Sequence, residues 1–356
     1  MVMMAGNVKA PVVSSGGGGG GAYATGGTIV DISGYKVHIF NASDTFATTS
    51  SWPSGRTVEY LVVAGGGGTD NGAGGGGGAG GLLTASGVTG VASTNYAVTI
   101  GAGGVSETNG GNSSLIGGAI SVTSIGGGGG NGSTSPFDGQ SGGSGAGGGT
   151  TGDGTNGSGG AGTPGQGTAG GDASGKYSSS STGWGGGAGY SGSASPNEGD
   201  GLVSNMITAY SGSTITIPAF RISWELYTFT VSAGLPFQAN SAVYVSNNAT
   251  PSISLFGRVN SYSGTTMVCQ LDRYDTGGSA ATLSGWNISF AHAGGGPGSD
   301  QSTTTTPATL GGSGGQYGPS FPSDFYNGLP NSGGGASGYQ TQTGGSGVVM
   351  IKYAYP

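Results

Sequence analysis

Uninterrupted glycine runs constrain this chain more than any other feature. Six glycines stand together at Gly16–Gly21, four at Gly65–Gly68, five at Gly126–Gly130, and three each at Gly147–Gly149 and Gly185–Gly187. Fixing a residue's backbone costs roughly 1–2 kcal/mol, and glycine loses the most freedom while contributing no side chain to a core. Such runs therefore either stay unfolded or order by bonding their backbones laterally. Disordered chains are usually rich in charge and poor in aromatics. This one has 6% charged residues, with 4 Trp, 16 Tyr and 10 Phe. Phe137, Tyr177, Trp184 and Tyr190 punctuate the glycine tract itself. The ordered solution is a bundle of extended three-fold helices of polyproline-II geometry, rising ~3.1 Å per residue. Without Cβ atoms, neighbouring helices approach on every side and their N–H and C=O groups bond across. No strict Gly-X-Y period is present, which excludes collagen.

β-rich runs frame the glycine tracts. Thr28–Ile32 and Tyr35–Phe40 flank Ser33-Gly34 and read as a hairpin. Thr57–Ala64 runs straight into Gly65–Gly68, and further strands are expected at Tyr96–Ile100, Ile120–Thr123 and Val348–Tyr353. Nowhere do apolar residues recur at three and four over a helical window. From 213 to 293 glycine thins and apolar residues alternate, as in Tyr227–Val231, Ala242–Val245 and Trp286–Ser289. That stretch reads as a small β module, sandwich- or barrel-like, inserted into a discontinuous glycine-rich domain of residues 26–212 and 294–356. Residues 1–25 read as a flexible lead-in or attachment segment. The expected class is mostly β, with strands framing the glycine-helix bundle and essentially no α-helix.

Charge excludes some functions. The net charge is -7, and no Lys or Arg lies between Arg56 and Lys176. A nucleic-acid partner needs clustered cations, and an interfacial helix needs a basic face, so neither nucleic-acid binding nor membrane insertion is expected. The one cysteine, Cys269, sits in an alternating run and reads as a small core residue. No apolar signal core appears in Met1–Ala10.

Several strings resemble the glycine-rich domain family of bacteriophage tail fibres and adhesins. They are Gly26–Val30, Gly34–Phe40, Thr45-Phe46, Val58–Gly68, Gly77–Leu83, Tyr96–Gly104 and the closing Gly344–Tyr353. The 213–293 stretch is similar to a β module repeated in phage tail proteins. The resemblance implies a virion protein on the tail, assembled in the host cytoplasm and commonly a homotrimer. Its implied partners are other tail or baseplate proteins, and a host-surface glycan or outer-membrane protein. The family's long shaft is missing, which leaves a capsid decoration, cement or head-fibre protein as the alternative. A third reading, an ice-binding glycine-helix protein, lacks regular threonine spacing.

No catalytic residue, metal ligand or cofactor is expected. His38 and His292 lack acidic or thiol neighbours at ligand spacing and read as surface or packed residues. Carboxylates such as Glu107, Asp138 and Asp153 are scattered singly, whereas glycoside hydrolysis needs a facing pair. Chance GxGxxG matches carry no weight at this composition. If the chain binds a host surface, flat aromatic side chains on loops are the candidates: Trp184, Tyr190, Tyr317, Phe321, Phe325, Tyr326 and Tyr339. The alternative, favoured for each one taken singly, is that it caps or staples the glycine bundle.

Overall fold

The computed structural model describes residues 23–32, 34–70, 74–131, 137–150, 154–174, 182–183, 185–188, 201–217, 225–250, 253–273, 281–296, 327–338 and 341–356. Among them every regular element is a strand and none is a helix. The first nine are β1 (Ala24–Thr25), β2 (Thr28–Ile32), β3 (Tyr35–Phe40), β4 (Asp44–Thr48), β5 (Thr57–Val63), β6 (Leu82–Thr89), β7 (Asn95–Thr99), β8 (Ser113–Gly117) and β9 (Ile120–Ser124). Next come β10 (Leu202–Ser211), β11 (Ile215–Ile217), β12 (Glu225–Thr230), β13 (Ala242–Asn247), β14 (Ser254–Ser263), β15 (Thr266–Arg273), β16 (Ala281–Leu283) and β17 (Trp286–His292). The closing strand is β18 (Val348–Ala354).

Two five-stranded antiparallel sheets face each other, ordered β1-β4-β7-β8-β9 and β2-β3-β18-β5-β6. The expected hairpin is β2–β3: Ile32 pairs with Tyr35, and Gly34 takes a left-handed φ of 84° that suits a residue without Cβ. Phe40, Phe46, Trp52, Val62, Tyr96, Leu115, Val349 and Tyr353 fill the space between the sheets. Alternate residues of the same central strands, Val37, Ile39, Leu61, Val63, Val348 and Met350, face the other way into a second core. The second sheet is thus covered on both faces. A strand buried on both faces reads as a continuous apolar run, which is why Leu61-Val62-Val63 and Val348–Ile351 do not alternate.

The strand-rich stretch meets this outer face around Ile39, Val348 and Met350, and Ala79 and Gly333 of the glycine segments lie against it as well. A six-stranded sheet, ordered β10-β17-β13-β14-β15-β12, and a two-stranded β11-β16 sheet make up that stretch; strands supply Phe229, Val245, Leu255, Trp286 and Phe290 to the second core, and Phe237 joins from the connection between β12 and β13. This sheet starts at Leu202, upstream of residue 213. β10 pairs with β17 across an irregularity between Ser204 and Thr208, where Met206 and Ile207 are buried. Cys269 is fully buried on β15, as its alternating run implies, and burial pushes its thiol pKa up to about 12.

The glycine tracts bond in a pattern that no sheet makes. From Ala64 to Thr69 the amides donate in turn to the carbonyls of Gly81, Gly111, Gly345, Gly78, Thr108 and Gln342. Partners therefore recur at every third residue: Ala64 and Gly67 bond the 78–81 segment, Gly65 and Gly68 bond 108–111, and Gly66 and Thr69 bond 342–345. The 75–81 segment repeats the rule. Gly75, Gly78 and Gly81 donate to Asn131, Gly128 and Ile125; Gly76 and Ala79 to Gly183 and Gly186; Gly77 and Gly80 to Ala336 and Gly333. A strand has two neighbours and a period of two, whereas each of these segments has three neighbours and a period of three.

Contact this close leaves no room for side chains. A Cβ built on Gly67 would overlap the Gly128 carbonyl, and one on Gly103 the Gly344 carbonyl. Backbone on both sides cannot move aside as a flexible side chain would. Gly67→Ala is expected to cost about 3 kcal/mol or more. Gly212→Ala, where a Cβ meets nothing within 4 Å, should stay within ~0.5 kcal/mol of the parent. Paired thermal melts of the two variants check this.

Candidate functional site

The glycine segments have two distinct ends, fixed by the strands they join. Segment 64–69 leaves β5 and 75–81 returns to β6; 101–104 leaves β7 and 108–111 returns to β8; 125–131 leaves β9, and 342–347 returns to β18. Thr69, at the end away from the sheets, bridges Gly130 in parallel and Gln342 in antiparallel sense, and its Oγ1 donates to Ser337 O at 2.6 Å. Gly75 donates to Asn131 O at that same level. The connections spanning 70–74, 105–107, 131–137 and 338–341 consequently all start from, and return to, this distal end. At the opposite end Tyr355 donates to Gly34 O, and Thr49 donates to Tyr23 O. The chain thus enters β1 and leaves β18 far from the glycine turns.

Among the distal connections, Val105-Ser106-Glu107 is fully described. Ser106 and Glu107 hold left-handed φ of 37° and 57°, a region that non-glycine residues seldom adopt. Thr108 secures the turn, because its Oγ1 accepts from Val105 N at 2.9 Å while its own N donates to Val105 O. The Gln140 side chain donates to Glu107 O from the neighbouring segment. The result holds Val105 outward with 56% of its surface exposed. Around it stand polar groups already engaged: Asp70 accepts from Thr341 Oγ1 at 2.7 Å, and Asn131 Nδ2 donates to Asp138 O. Among the described residues no group of three His, Cys, Asp or Glu side chains is placed to hold a metal ion.

All the aromatics singled out from the sequence, namely Trp184, Tyr190, Tyr317, Phe321, Phe325, Tyr326 and Tyr339, lie outside the described residues. Tyr339 belongs by sequence to the 338–341 connection. The Val105–Glu107 turn was not anticipated. Its signal is a run of five non-glycine residues, Val105–Asn109, set between Gly103-Gly104 and Gly110-Gly111.

Both histidines are packed inside the protein. His38, on β3, lies against the Phe46 edge at 5.0 Å and the Tyr353 ring at 5.6 Å. Its Nδ1 is 2.8 Å from Gly26 O, and since a carbonyl only accepts, Nδ1 carries the proton. Nε2 then accepts from the Tyr353 hydroxyl at 3.2 Å. That hydroxyl is held protonated above its ordinary range, chiefly by burial. His292 ends β17, stacks on Phe290 at 6.0 Å, and has no partner for either ring nitrogen among the described residues. Burial lowers the pKa of each histidine from 6.5 to about 4; for His38 the Gly26 carbonyl offsets part of that effect.

Residues 42–218 match the family model of a glycine-rich domain. The chain carries a glycine-rich domain. The match takes in β4 to β11 and the first glycine segments, including the Val105–Glu107 turn. β2, β3 and β18 lie outside the matched span and share a sheet with β5 and β6. No curated protein and no solved structure matches the chain.

Unfolding returns both histidines to an ordinary pKa near 6.5, so below that pH the unfolded chain binds more protons than the folded one. Stability is fully present above about pH 6.5 and falls until about pH 4, by roughly 1.4 kcal/mol per pH unit for each histidine. Urea midpoints at pH 7 and pH 5 measure this, and His292→Leu should flatten the dependence by about half.

Proposed function

We propose that this chain is a bacteriophage attachment subunit, a tail fibre or fibre tip, that works by presenting loops and without catalysis. In this reading the glycine segments are polyglycine-II helices packed as a bundle, and the strand-rich stretch is an inserted β-sandwich module. The carrying observation is the division of the molecule into two ends. One end holds the sheets, with β1 and the close of β18; the other gathers the ends of the glycine segments, with the Val105–Glu107 turn among them. Rigid elements place a contact surface better than free loops, because little entropy is lost on binding. Period-three bonding supports the helix assignment, since a three-fold helix turns its N–H groups toward three neighbours in succession. The inward-packed histidines and cysteine suit a scaffold more than an enzyme.

The proposed contact surface is the distal end, with Val105 and Tyr339 as apolar contacts for a host glycan or outer-membrane protein. The sheet end docks on tail or baseplate partners, and three copies assemble around an axis. Immunogold labelling of particles with an antibody to this chain tests the location. Label is expected on the tail or its fibres; label spread over the head overturns the reading in favour of a decoration protein. Binding of the purified chain to cells of the particle's host tests the surface. Val105→Asp should weaken it about tenfold while leaving the melting temperature unchanged, and Tyr339→Ala should weaken it by a similar factor.

A further inference from the structure

A lattice whose segments bond three neighbours must stop somewhere, and its outermost amides need acceptors. Two sets of rungs show how this chain supplies them. Gly126 and Gly129 are buried in the 125–131 segment, yet their amides do not bond another backbone. Gly126 N donates to Asn112 Oδ1 at 2.9 Å, and Gly129 N to Asn109 Oδ1 at 2.8 Å. On the far side, Ser158 N donates to Asp138 Oδ1 at 2.7 Å and Ala161 N to Ser141 Oγ at 3.2 Å. Both ladders have donors three apart and acceptors three apart, which is the spacing a neighbouring glycine segment would present. Asn109, Asn112, Asp138 and Ser141 are all exposed, so they stand at the outer boundary. Asn109 Nδ2 also donates to Ser141 O at 3.0 Å, tying one ladder to the other.

We infer that these side-chain ladders seal the lattice edge against a second copy of this chain. The surface they cover is a latent self-association site, whose occupant would be a glycine segment of that copy. The reason is the one that makes an open sheet edge adhesive: a row of unpaired amides templates the addition of another backbone. Here the template is more permissive than a sheet edge, because glycine segments carry no side chains that fix register or reject a wrong partner. The inference rests on the bonding pattern alone and is independent of where the protein acts.

The test is the mass of purified chains by light scattering over a wide concentration range. Asn109→Ala with Asn112→Ala removes both acceptors, and the mass is expected to at least double with rising concentration. Asn109→Asp with Asn112→Asp keeps an oxygen at each rung and should retain the parent's mass. An alanine pair that stays folded by circular dichroism at the parent's mass overturns the inference. If that pair loses its fold, Asp138→Ala with Ser141→Ala, on the exposed 158–161 rungs, is judged by the same criterion. Loss of fold in both pairs makes the ladders simple props and overturns it as well.

Discussion

The whole structure depends on a lateral hydrogen bond between backbones that carry no side chains. An ordinary sheet satisfies its peptide groups within a plane and relies on side chains to fill the space above and below. Here the segments around Gly65–Gly68 and Gly75–Gly81 satisfy theirs in three directions, so the backbone itself is the packing material. This explains why the composition is so lopsided. At Gly65–Gly68 an added Cβ would occupy a position that a neighbouring carbonyl already fills. Charges are scarce for the same reason, since the lattice interior offers neither room nor water for them.

Such a lattice cannot nucleate itself cheaply, because ordering glycine is unfavourable and each segment's partners lie far away in sequence. The two facing sheets fix where each segment begins and ends. β5, β7 and β9 launch segments from fixed positions, and β6, β8 and β18 receive them. The second sheet is buried on both faces, between the aromatic core around Phe46, Tyr96 and Tyr353 and the strand-rich stretch around Phe237 and Phe290.

Much of the strand framework was legible in the sequence. Thr28–Phe40, Thr57–Val63, Asn95–Thr99 and Val348–Ala354 announce themselves through β-branched and aromatic residues bounded by glycine. β10 did not, because its pairing is interrupted between Ser204 and Thr208, so Met206 and Ile207 break the alternation that marks a strand. Lateral bonding between glycine backbones was legible, but not its wiring. One glycine is chemically the same as another, and nothing in Gly126–Gly130 states which segment each residue will bond. The exceptions are Asn109 and Asn112, whose spacing of three echoes the lattice period. The Val105 turn holds no aromatic residue, and a small aliphatic residue beside the left-handed Ser106 and Glu107 carries no label in a sequence.

The side-chain-poor lattice also has a calorimetric consequence. Heat capacity rises on unfolding when apolar surface meets water and falls when peptide groups do. The sheets and their aromatic cores contribute the usual positive increment, whereas the glycine segments, which bury mainly amides, contribute little or take some away. The curvature of stability with temperature is therefore expected to be shallow for a chain of this length. A protein held together by amide contacts gives up little of its stability in the cold, where the hydrophobic effect weakens.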